Sequence, residues 1–230
     1  MGNYRTRHTM KIILTLLISI LTTTVFGQVG QKLNPTDFLP KGYVVFEQIK
    51  GDLNKDNIDD CVLIIKGTDT SKIITDEYRG KSDRNRRGII ILFQKNKKYE
   101  LALKNLECFS SENEDGGNYF APELSIEIKK GNLYFHYGHG RYGYWKYTFR
   151  FQRSDFELIG YDASENSGPV INSETSINFS TKVKQTKVNT NENAESGEEV
   201  FKTTSKKIKI DKLLKLSQIK DFDELDLSIY

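Results

Sequence analysis

ELSIEIKKGNLYFHYG, residues 123–138, is two seven-residue runs of strand-forming character on either side of Lys130 and Gly131. Leu, Ile, Tyr and Phe fill the runs and two turn-forming residues separate them, which reads as a β-hairpin. The same arrangement repeats outward in both directions. Upstream, GIIILFQ (88–94) and YELALKN (99–105) flank KNKK; downstream, YGYWKYTFRFQ (142–152) and FELIGYD (156–162) flank RSD. YVVFEQI (43–49) and CVLIIKG (61–67) are two further short, β-branched segments, and TSINFST (175–181) and KVKQTKVN (182–189) two more. The polar TNENAESGEE (190–199) reads as a long exposed loop, after which VFKTTSKKIKI (200–210) pairs back onto the sheet. Short strands joined by tight polar turns predict an all-β antiparallel meander rather than alternating strands and helices. That meander can be an open sheet, a sandwich or a partial propeller. Leu213, Leu216, Ile219, Phe222 and Leu225 recur near one helical face, which predicts a short C-terminal helix within Leu213–Leu227.

The amino terminus has the order of a secretory signal: Arg5, Arg7 and Lys11, then IILTLLISIL, then small residues up to Val25 and Gly27. The expected mature chain starts at Gln28 and forms one β-rich domain over 28–230, secreted or periplasmic. The apolar run is shorter than the roughly 20 residues a membrane-spanning helix needs, so no membrane span is expected after cleavage. Residues 1–27 carry three of the 34 Lys and Arg and none of the 31 Asp and Glu, leaving 31 against 31 in the remainder. A nucleic-acid binder gathers a basic excess on one face, and no such excess survives. KKIKIDKLLK (206–215) is basic but DFDELD (221–226) follows it closely, which reads as a self-compensating surface. Export would let Cys61 and Cys108 form a disulfide; two buried thiols are the alternative.

One loop carries a metal-binding pattern. In GDLNKDNIDDCVLII (51–65), Asp52, Asn54, Asp56 and Asp60 stand at the first, third, fifth and ninth positions, and Ile58 at the seventh offers its backbone carbonyl. Hard oxygens at that spacing suit Ca2+. An EF-hand needs a bidentate Glu at position twelve and a helix after it; here Leu63 stands there, in a strand-like run. Asn57 takes the place of the usual Gly and tolerates a left-handed backbone. With its entering strand, residues 43–67 resemble the calcium loops of FG-GAP and VCBS-type repeats, as in the integrin alpha-chain N-terminal propeller. The resemblance implies one structural Ca2+ held by Asp52, Asn54, Asp56, Ile58 and Asp60. The chain as a whole looks like exported proteins of Bacteroidetes-type bacteria, which implies a compartment and no activity. The loop occurs once; SENEDGG (111–117) and DASENSG (162–168) are acidic without its alternation.

The remaining motifs divide into weak and usable. GHGRYG (138–143) has the spacing of a dinucleotide fingerprint, but the helix that such a motif must open is replaced by the strand-like YWKYTFRF. His136 and His139 are three apart and so face opposite ways on a strand. No nucleophile motif is present, and a hydrolase would have to draw its acids from SENEDGG and near Asp162. In a strand starting near Tyr142, Trp145, Tyr147, Phe149 and Phe151 face the core. Tyr142, Tyr144, Lys146 and Arg150 then form an outward strip able to stack on sugar or peptide. The expected function is a binding module for a protein or glycan, not for nucleic acid. The alternative is a carbohydrate-binding or carbohydrate-active surface protein using that strip.

Overall fold

The computed structural model describes residues 30–77, 80–114, 121–227 and 229–230. The signal-like segment, its cleavage point and Asp115–Gly117 of SENEDGG lie outside the described residues. In chain order the strands are β1 (Tyr43–Gly51), β2 (Asp60–Gly67), β3 (Ile73–Asp76), β4 (Gly80–Asp83), β5 (Arg87–Lys95) and β6 (Lys98–Phe109). There follow β7 (Glu123–Lys129), β8 (Asn132–Gly138), β9 (Gly143–Gln152), β10 (Asp155–Ser167), β11 (Val170–Asn178), β12 (Val183–Asn189) and β13 (Phe201–Lys207). They form a four-stranded sheet in the order β1-β2-β5-β6, a seven-stranded sheet running β13 to β7 in sequence order, and the small hairpin β3-β4.

Turn chemistry sets the meander. Asn96 and Lys97, Lys130 and Gly131, and Arg153 and Ser154 all have positive φ, the backbone of a two-residue hairpin turn whose twist matches that of its strands. β7 pairs with β8 from Glu123↔Gly138 to Lys129↔Asn132 without a slip. The β3-β4 hairpin has no comparable apolar signal, and the sequence does not announce it.

Two layers enclose the core. Val62, Ile64, Ile89 and Ile91 of the smaller sheet join Leu133, Phe135, Tyr137, Tyr147, Phe149 and Leu158 of the larger in one buried cluster. Phe93 meets Phe151 edge-on at 4.7 Å, and Phe109 meets Phe135 edge-on at 5.2 Å. The sheets therefore face one another as a sandwich, and Gln31–Tyr230 forms a single compact unit. β2 and β5 are apolar at consecutive positions because both their faces are covered. Their other face, with Cys61, Leu63, Ile65, Ile90 and Leu92, is closed by Phe38, Leu39, Tyr43 and Tyr99.

Two expectations need correction. Helix within Leu213–Leu227 shrinks to the single 3-10 turn Leu216–Gln218. The apolar spacing still buries Leu216, Ile219 and Phe222, but the backbone makes only isolated turn bonds to itself, such as Gln218 N to Lys215 O, and bonds to the sheets besides. Leu158 N donates to Leu214 O at 2.8 Å and Phe222 N to Cys108 O at 3.0 Å, while Asn105 Nδ2 donates to Leu216 O and Ile219 O at 2.9 and 2.7 Å. The segment is a strap across the sandwich. Nor are Cys61 and Cys108 bridged: both thiols are free. Cys61 lies in the cluster on the outer face of the four-stranded sheet and Cys108 in the core between sheets, so a layer of backbone separates them.

Candidate functional site

The β1–β2 loop is wound around its own carboxylates. Asp52 Oδ1 accepts from Lys55 N at 2.6 Å and from Asp56 N at 3.2 Å, and its Oδ2 from Asn57 N at 3.0 Å. Asn54 Oδ1 accepts from Asp56 N at 3.0 Å, and Asp56 Oδ1 from Ile58 N at 2.9 Å. Lys55 and Asn57 supply the left-handed backbone, with φ of 66° and 64°. The loop is anchored at both sides: Leu53 is buried beneath it, and the Lys55 side chain lies where a Cβ on Gly131 of the β7–β8 turn would stand, 2.7 Å from Lys55 Cε.

Asp60 plays a different part from the other three. It is fully buried, and its two oxygens take one amide each, Leu53 N at 2.8 Å and Gln94 N at 3.0 Å. It thus ties the loop to the end of β5. Burial raises its carboxyl above the ordinary aspartate range, with the backbone amides of Leu53, Gln94 and Asn54 opposing the shift. Much of the crowded negative charge is therefore met by backbone N–H groups.

Calcium fits the donor chemistry of this loop. A carboxylate has about four lone-pair sites. Asp52 Oδ2, Asn54 Oδ1 and Asp56 Oδ1 each take one amide, keeping acceptor capacity for a cation. Asp52, Asn54, Asp56 and Asp60, with the Ile58 carbonyl, are the residues that would hold the ion. Among the described residues no three His, Cys, Asp or Glu side chains are gathered as a metal-holding group. The described acids of SENEDGG are otherwise engaged: Glu112 pairs with Lys66, and Glu114 with Arg84 at 3.2 Å.

The outward strip of β9 is only partly continuous. Tyr142 belongs to the 3-10 turn Gly140–Tyr142, not to the strand. Tyr144 lies 5.3 Å from the His136 ring, Lys146 pairs with Asp162 at 3.2 Å, and Arg150 Nε donates to Asn132 Oδ1 at 3.0 Å. Tyr144 borders a shallow depression of about 270 Å3 with Asp162, Glu174, Ser176, Gln185 and Lys187. In GHGRYG the glycines turn the chain. Gly143 has φ of 107°, and a Cβ there would stand 1.9 Å from Ser164 O. His139 packs against Tyr142 and Trp145, at 5.2 and 6.2 Å.

A larger concavity was not anticipated. It has a volume of about 700 Å3 and lies between the β9–β10 turn, the β11–β12 turn and the strap. Glu157, 4% exposed, forms part of its wall. The legible signal was an acid inside FELIG, an otherwise apolar strand. Of the acids of DFDELD, Asp221 pairs with Arg86 at 2.8 Å. No family model, curated protein or solved structure matches the chain.

Proposed function

We propose that the chain is an exported binding module whose β1–β2 loop holds one structural Ca2+. What carries this reading is the coiled backbone of the loop, with oxygen-bearing side chains at alternate positions and left-handed residues between them. An ion among Asp52, Asn54 and Asp56 supplies the charge neutralisation that amides provide only in part, and links cation binding to folding. No reaction step is assigned to it. The test is calorimetric titration of CaCl2 into chelator-treated protein. One site is expected, lost in Asp52→Asn/Asp56→Asn; absence of binding in the parent overturns the reading.

A second reading, glycan recognition around Tyr144, is favoured by the depression that this ring borders. It predicts glycan-array signals that disappear in Tyr144→Ala, while an array silent for the parent protein dismisses it.

A further inference from the structure

We infer that the groove between the β9–β10 turn, the β11–β12 turn and the strap binds an acidic oligosaccharide. Its volume of about 700 Å3 falls within the roughly 300–1,000 Å3 of small-ligand sites. Arg153, Lys182, Lys212 and Lys215 line it against two acids, Glu157 and Asp211.

Those charges are not settled internally. Glu157 is matched by Arg153, whose Nη2 lies 3.0 Å from Oε2. Lys182 Nζ donates to a neutral carbonyl, Ile210 O, at 2.9 Å. Among the described residues Lys182, Lys212 and Lys215 make no ion pair. Asp221, the first of the four acids of DFDELD, is held by Arg86. Three lysines therefore line the groove with Asp211 as the remaining counter-charge, and an anionic ligand completes the balance.

The wall selects among anions. Gln152 Nε2 and Arg153 Nη2 both donate to Oε2 of Glu157, and a carboxylate with about four lone-pair sites keeps acceptor capacity for a ligand hydroxyl. A sugar ring supplies hydroxyl donors beside its carboxylate; a phosphodiester oxygen brought to the same carboxylate is repelled. Binding of single-stranded nucleic acid relies on aromatic faces on which bases stack. The aromatic side chain of this groove, Phe179, is only 3% exposed. Carboxylated sugar is the class that meets both the lysines and the buried acid.

This inference takes from the proposed function only that the chain is a binding module, and it involves none of the calcium-loop residues. The test is titration of the full chain with hexagalacturonate, maltohexaose and a dT6 oligonucleotide, all in chelator so that calcium plays no part. Hexagalacturonate alone is expected to bind, more weakly as salt rises, with a loss of roughly tenfold or more in Lys182→Glu and in Lys212→Glu. Both side chains are exposed, and an unchanged melting temperature verifies each fold. No binding of hexagalacturonate, equal binding of maltohexaose or dT6, or full affinity in both variants overturns the inference. Because the titration is calcium-free, its failure leaves the calcium reading intact, and the converse holds.

Discussion

Replacing Asp60 by Ala separates what the loop does for the fold from what it does for an ion. The substitution leaves Leu53 N and Gln94 N, now bonded at 2.8 and 3.0 Å, without acceptors in a buried position. A hydrogen bond to a charged group contributes about 1.5–3 kcal/mol. Two such bonds set the gross loss, and relief of the desolvation that raises the Asp60 carboxyl offsets part of it. The net expectation is a loss of about 2–4 kcal/mol at neutral pH. Urea unfolding measured in chelator isolates this structural contribution, and the same series in calcium adds the ion's. Asp52→Asn is the contrast: its partners are amides of an exposed loop, so in chelator it changes little and in calcium it removes the response. A value for Asp60→Ala within about 0.5 kcal/mol of the parent in chelator refutes the claim that this carboxylate ties the loop to β5.

Phe222→Ala empties the middle of the aromatic core, where the ring is stacked on Phe109 at 5.2 Å and lies 5.0 Å from Tyr147. Its expected cost is about 3–5 kcal/mol in denaturant unfolding, and a loss below about 1 kcal/mol contradicts the strap's role in closing the sandwich. Both thiols should resist Ellman's reagent in the native protein and react after unfolding without reductant; thiols missing from the unfolded chain that appear only after reductant is added would restore the disulfide. Burial pushes Cys61 up to about 11 from about 9 and raises Cys108, Tyr137 and Tyr147 as well. The native state thus favours protonated thiols and phenols. The stability that these four groups contribute is full below pH 9 and falls as pH climbs from about 9 toward 11 and beyond. Melting temperatures flat across that window contradict this.

Local pattern carried most of the fold. The hairpins around 96–97, 130–131 and 153–154 are legible because turn residues and apolar runs alternate within a few residues of one another. The continuous apolar character of CVLII and GIIIL marks strands covered on both faces, although nothing local says by what. The strap misled for a physical reason: apolar residues three apart also share a side in an irregular segment of 3-10 and other tight turns, whose backbone is partly satisfied by neighbours such as Asn105. The same dependence on distant partners hid the separation of Cys61 from Cys108 and the pairing of Asp221 with Arg86. The calcium pattern at 52–60 was readable because all its donors are local. The groove was not, because its lysines and Glu157 come from three separate segments that only the seven-stranded sheet and the strap bring together.

The most direct test of the calcium-loop account is the melting temperature of the domain in chelator and in calcium at about one hundred times the dissociation constant. Linkage then adds about 2.7 kcal/mol to the folded state, which at about 2–4 °C per kcal/mol for a domain of this size is a rise of roughly 5–10 °C. The account predicts that rise in the parent and its absence in Asp52→Asn/Asp56→Asn. Identical melting temperatures of the parent in the two conditions contradict it.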